Sequence, residues 1–209
     1  MPELPETETI ARDLDAEVAG RTVTGVTVRR PDVLREVAAE ELTRRVTGAR
    51  IARVWRRAKL VVFDLSTGDR LVVQPRFTGA LLLDAGALPA GEARYSTLDL
   101  ALDDGRRLHY RDIRRLGTVT LMPPARWAGH DGALGREPLD PAFTAAHLSA
   151  LLRASRQPVK KVLMDQSRLA GVGNIYANEA LWRAGIDPSR PASALSPAEA
   201  DTLHAELVA

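Results

Sequence analysis

The sequence predicts an α+β fold, in which an amino-terminal antiparallel β-sandwich with flanking helices is followed by an all-α carboxy-terminal domain. Two observations carry this. Between residues 23 and 122, short valine- and leucine-rich runs recur, separated by turns such as "STGD" and "DDG", the spacing of a sandwich. Beyond residue 143 the apolar spacing becomes helical. A length of 209 residues with 45% hydrophobic and 27% charged content suits a globular protein with one large or two small cores.

In chain order, residues 6–19 read as a helix ended by Gly20. Pro5 suits a helix start, and Glu6 and Glu8 complement the positive end of its dipole. "RTVTGVTVRR" then alternates through Val23, Val26 and Val28 as a strand. A short helix is expected over 39–47 and strands over 50–56, 59–65, 70–74, 79–83, 96–102, 107–112 and 117–122. "MPPARWAGHDGALGREPLDP" is rich in proline and glycine, so 122–142 reads as a linker between a domain of residues 1–121 and one of 143–209. Helices are expected at 143–154, 158–165, 174–184 and 196–208, the last opened by Ser196, Pro197 and the capping-box acid Glu199. The chain stops at "HAELVA" inside that helical pattern, which predicts truncation at the carboxy-terminal end.

The chain has no cysteine, which excludes disulfides and thiolate zinc sites, and its four histidines lack metal-ligand spacing. No cofactor and no metal are therefore expected. Absence of a signal-peptide core or a membrane-length apolar run points to a cytoplasmic protein with no membrane partner. Net charge is only +2, but basic residues are concentrated. "RIARVWRRAKL" (50–60) carries five cations and no acid, and "GRRLHYRDIRRLG" (105–117) carries five arginines against Asp112. Either stretch alone fits a charge-protected strand edge. Two of one sign in one domain favour a phosphate-binding surface.

Two further features carry chemistry. Gly171 and Gly173 precede a helix near Asn174, where exposed N–H groups suit a phosphate and Lys160 and Lys161 lie upstream. The competing reading is a tight helix connection. The opening "MPELPETETI" leaves Pro2 and Glu3 unexplained by helix chemistry.

"PELPETE" (2–8), "RRAKL" (56–60), "DIRRLG" (112–117), "LGREPL" (134–139) and "AGVGNIYANEALWRAGIDP" (170–188) occur in order. Together they resemble the formamidopyrimidine-DNA glycosylase family of bacterial base-excision repair enzymes. The resemblance implies a β-sandwich domain, a helix–two-turn–helix domain, a monomer, and double-stranded DNA with oxidised bases or abasic sites as partner. Removal of Met1 would leave Pro2 with a secondary amine, and α-amines titrate near pH 7.7–8.0, so a useful fraction of it is neutral and nucleophilic at physiological pH. The helix dipole lowers that value and Glu3 and Glu6 oppose it.

The family's chemistry then gives Pro2 attack on C1′ of the damaged nucleotide, with Glu3 as acid. Glu6 matches a second acid that positions the terminus or transfers a proton, and Lys59 matches a hairpin lysine reaching lesion-strand phosphates. The plain alternative for Lys59 is an exposed strand lysine. Lys160 and Asn174 match phosphate contacts, although Asn174 also suits a helix N-cap, and Tyr176 is expected to pack. Phe77, Arg114 and Leu116 correspond to the side chains that fill the gap left by the flipped base, where Met, Arg and Phe are usual. A lone aromatic among strands is also a core candidate, and Gln74 replaces a common histidine. The family's lesion-capping loop and four-cysteine zinc finger have no counterpart. Oxidised purines are the expected substrates, oxidised pyrimidines a variant. A DNA-damage or abasic-site binding module without efficient turnover and an RNA-binding protein are the alternatives.

Overall fold

The computed structural model describes residues 2–84 and 88–209. Met1, whose removal the chemistry above requires, lies outside them. The chain divides into two compact units, one ending at Gly129 and the other running from His130 to Ala209.

The first unit opens with helix α1 (Leu4–Val18). Leu4 is its first residue and Pro5 its second, with Glu3 at the N-cap position. Glu6 closes the end by accepting the Glu3 N–H at 3.0 Å. Leu4, Thr7, Ala11, Leu14 and Val18 recur every three or four residues and form its buried face. Strands β1 (Val23–Val28) and β2 (Leu34–Arg35), helix α2 (Ala39–Val46), and strands β3 (Ile51–Arg57), β4 (Leu60–Leu65), β5 (Arg70–Gln74) and β6 (Gly79–Asp84) follow. Helix α3 (Ala90–Ala93), strands β7 (Ser96–Leu102), β8 (Arg107–Asp112) and β9 (Thr118–Met122), and helix α4 (Pro124–Gly132) complete the run.

The strands form a sheet of order β1-β7-β8-β6 and another of order β2-β9-β5-β4-β3. Between them Leu98, Leu100, Leu108 and Tyr110 meet Val61, Phe63, Leu71, Val73 and Leu121, with Ala11, Leu14 and Val18 of α1 added. This is the expected sandwich, with one difference. β2 pairs parallel to β9, Leu34 opposite Val119. A two-residue strand has no alternation to read, so the sequence does not announce it.

A second difference concerns the expected linker. Residues 124–132 are helical, and Trp127 of α4 is buried against Leu60, Val62, Val72 and Met122 on the other face of β4 and β5. Trp55 meets it edge-on at 5.5 Å. Glycine and proline concealed this helix, whose existence depends on a tertiary contact.

The second unit contains α5 (Ala145–Arg153), α6 (Val159–Met164), α7 (Asn174–Arg183) and α8 (Pro197–Val208). Its core gathers Phe143, Leu148, Leu152, Val162, Leu163, Leu181 and Leu203. Among the described residues no helix is long and apolar enough to cross a membrane.

The start of α8 is the expected capping box. Ser196 Oγ accepts the Glu199 N–H at 3.2 Å, and Glu199 accepts the Ser196 N–H at 2.8 Å. Arg190 also grips Glu199 at 2.6 Å. The Arg190 hydrogen bond, then those of Ser196, depress the Glu199 carboxyl from 4.5 to about 2. A depressed folded-state value adds stability above 4.5 that disappears as pH falls towards 2. Glu199→Gln is therefore expected to lower the thermal midpoint at neutral pH, with the deficit vanishing towards pH 2. A constant deficit across a melting series would contradict this linkage.

Candidate active site

The first group of expected site residues gathers where α1 begins. Pro2 is half-buried immediately before the helix, and Glu3 is 1% exposed. Glu6 is exposed, and its carboxylate is held to the Glu3 backbone. Lys59 lies in the turn between β3 and β4, where Ala58 takes a left-handed φ of 52°. It is half-buried in a tight turn, and so is neither exposed nor in a strand. Burial pulls the Lys59 ammonium below its ordinary value, and the Glu3 carboxylate acts in the opposite direction. The buried acid and the hairpin cation thus feel one another electrostatically.

Residues not singled out in the sequence hold this arrangement. Arg56, its side chain 6% exposed, donates from Nε to Glu8 at 2.7 Å and from a terminal nitrogen to the Ala58 carbonyl at 3.2 Å. One guanidinium therefore ties α1 to the turn that carries Lys59. For Glu8, burial raises the carboxyl, but hydrogen bonds from Arg56 and Arg12 outweigh it and leave the value lowered. Asp15 adds a second tie by accepting the Val54 N–H at 2.6 Å. Arg56 sits inside "RRAKL", but its partner is 48 positions away, so only the fold reveals the pair.

A second group occupies two loops of the same unit. Phe77 follows β5, and Arg114 and Leu116 follow β8. Phe77 is 56% exposed and Leu116 42%, so the core reading of Phe77 is wrong. The Arg114 guanidinium carbon lies 5.5 Å from the centre of the Phe77 ring, within cation–π range. Both loops contain a non-glycine residue in the left-handed region, Arg76 at φ 50° and Arg115 at φ 52°. Such conformations cost about 1–3 kcal/mol each and concentrate at functional sites. Gln74 ends β5, half-buried.

Lys160 and Asn174 belong to the second unit. Asn174 is exposed as the first residue of α7, and the N-cap position belongs to Gly173, so the capping reading of Asn174 is corrected. Lys160 is half-buried on α6, which packs against α7. Gln166 shapes the turn before α7. Its Nε2 donates to the carbonyls of Met164 and Val172 at 2.9 and 2.8 Å, and its Oε1 accepts the Gly171 N–H at 2.9 Å. Gly171, at φ 94°, needs its glycine. Tyr176 packs on the helical core.

These features agree with known proteins. The model of the formamidopyrimidine-DNA glycosylase N-terminal domain matches residues 1–119, and that of the formamidopyrimidine-DNA glycosylase H2TH domain matches residues 134–209. Formamidopyrimidine-DNA glycosylase of Carboxydothermus hydrogenoformans is 40% identical over 97% of this chain and 73% of its own. That of Geobacter metallireducens is 44% identical over 97% of this chain and 75% of its own. The crystal structure of the Lactococcus lactis enzyme, non-covalently bound to DNA containing an AP site, superposes with a TM-score of 0.91. It is 28% identical and matches 99% of this chain and 78% of that one. A complex of the same enzyme with FAPY-dG DNA gives 0.90 at 29% identity, over 99% of this chain and 77% of that one. The chain belongs to the formamidopyrimidine-DNA glycosylase family.

Proposed function

We propose that this chain is a base-excision DNA glycosylase and abasic-site lyase for oxidised purines, acting through the amine of Pro2. The observation that carries the reading is the placement of Pro2 directly ahead of α1, next to the buried Glu3 whose charge reaches Lys59. The names of the relatives, and the FAPY-dG and AP-site DNA held by the solved neighbours, support the substrate class.

Glu3 takes a proton from the Pro2 ammonium, the freed nitrogen lone pair attacks C1′, and Glu3 passes that proton to the base as the C1′–N bond breaks. The remaining N–H proton of Pro2 passes to O4′ as the sugar ring opens, which leaves a hydroxyl at C4′ and an iminium between Pro2 and C1′. Being cationic, it acidifies the adjacent sugar C–H. Loss of that proton expels the 3′ phosphate (β-elimination), and a second loss expels the 5′ phosphate (δ-elimination). Water then releases Pro2. Glu6 positions the terminus through the Glu3 N–H, Lys59 binds a lesion-strand phosphate, and Lys160 and Asn174 bind the backbone. Phe77, Arg114 and Leu116 enter the space vacated by the flipped nucleotide.

The test is incubation with duplexes carrying 8-oxoguanine, formamidopyrimidine, an oxidised pyrimidine or an abasic site, with borohydride present. Covalent adducts on the two purine lesions and the abasic site, unchanged by zinc chelators, are expected. Retention of the DNA without adduct or cleavage would leave a binding module instead.

A further inference from the structure

We propose that Asp112 is the positioning residue that sets both gap-filling loops, through one carboxylate shared between them. This rests on the reading of Phe77, Arg114 and Leu116 as the residues that enter the duplex. Asp112 ends β8 and is 1% exposed. A carboxylate that deeply buried is costly unless hydrogen bonds compensate it.

The donors come from both loops. Oδ1 accepts from the Thr78 hydroxyl, beside Phe77, and Oδ2 accepts the Gly117 N–H at 2.8 Å, beside Leu116. Thr78 Oγ1 in turn accepts the Arg114 N–H at 3.0 Å. A continuous chain of hydrogen bonds thus runs from Gly117 through Asp112 and Thr78 to Arg114, linking the segments that bear all three side chains. Hydrogen bonds to a charged acceptor are the strong kind, which suits loops that each hold a left-handed residue.

The surroundings leave little slack. A Cβ at Gly117 would lie 1.8 Å from the Tyr110 hydroxyl and 2.6 Å from the Gln74 carbonyl, so this loop lies directly on β5 and β8. The Tyr110 hydroxyl is 3.4 Å from Oδ2. Burial, then the Asp112 charge, raise the Tyr110 phenol well above its ordinary value, which keeps it a neutral donor. The Asp112 N–H donates to the Tyr95 carbonyl at 3.0 Å, fixing the end of β8. Removing the carboxylate charge, or the Thr78 hydroxyl, should therefore release the loops without altering Pro2, Glu3 or Lys59.

The experiment compares Asp112→Asn, Thr78→Val and Thr78→Ser with the parent on an abasic site in duplex and in single-stranded DNA, by borohydride trapping, alongside thermal unfolding. Asp112→Asn and Thr78→Val should lose about tenfold on the duplex, the scale of one hydrogen bond to a charged group, and keep the single-stranded rate. Thr78→Ser, which retains the hydroxyl, should restore the duplex rate. Equal losses on both substrates, or no loss on the duplex, would overturn the assignment. Phe77→Ala serves as the reference. If it too lacks a duplex-selective loss, the gap-filling reading itself fails. If Phe77→Ala shows that loss and Asp112→Asn and Thr78→Val do not, only the role of Asp112 fails.

Discussion

Pro2→Gly is expected to reduce borohydride trapping on abasic duplex by about 100-fold, and a preparation retaining Met1 to give no adduct, because an acylated nitrogen is not a nucleophile. Glycine at position 2 still offers a primary amine. Its imine, however, carries a positive charge only when protonated, whereas the iminium of a secondary amine is cationic at every pH. The loss therefore measures what the proline ring contributes to elimination. Lys59→Ala should cost no more than about tenfold, as expected of one lost phosphate contact. Lys59 is nevertheless a rival nucleophile, since burial lowers its ammonium value although the Glu3 carboxylate opposes that. Peptide mapping separates the two. An adduct on Lys59 or Lys160 would overturn the assignment to Pro2. Trapping should also rise with pH through the α-amine range of about 7.7–8.0, as the neutral fraction grows.

The elements read from the sequence were those whose local pattern is also their tertiary pattern. β4 alternates Val61, Phe63 and Leu65 towards the sandwich core, and Ser196, Pro197 and Glu199 announce α8 in three residues. α4 was hidden because Pro123, Pro124, Gly129 and Gly132 read as linker, while Trp127 finds its partners on β4, β5 and β9. Expected site residues fared similarly. "PELPETE" marks Pro2 and Glu3 directly, but Glu8 also lies in that motif and its pairing with Arg56, 48 residues on, is visible only in the fold. "DIRRLG" marks Arg114 and Leu116, yet its first residue joins a loop 34 positions earlier through Thr78. Local sequence shows which side chains are presented. What holds them depends on contacts distant in the chain.

Phe77→Ala should reduce processing of a lesion in duplex DNA by about 10- to 100-fold, since base stacking on an aromatic face contributes about 1–3 kcal/mol and about 1.4 kcal/mol is tenfold. Flipping a nucleotide sacrifices stacking and pairing worth a few kcal/mol, and the side chain that enters the gap recovers part of it. Leu116 offers only apolar contact, so Leu116→Ala should lose less. The proposed wedge role therefore falls to the aromatic ring at position 77 rather than to position 116. Arg114 bears on this because its guanidinium lies over the Phe77 ring in the protein alone. An exposed cation–π contact contributes only about 0.5–1 kcal/mol, small enough to yield when a base takes its place and frees Arg114 to hydrogen-bond the orphaned opposite base. A single-stranded abasic site has no stack to open, so Phe77→Ala should leave its trapping unchanged. Stability should hardly move, because Phe77 is 56% exposed and substitutions at such positions usually stay within about 0.5 kcal/mol. At about 2–4 °C per kcal/mol that is a shift of no more than about 2 °C in the thermal midpoint. A variant that melts far below the parent, or that loses activity equally on both substrates, would remove Phe77 from the duplex and return it to a packing role.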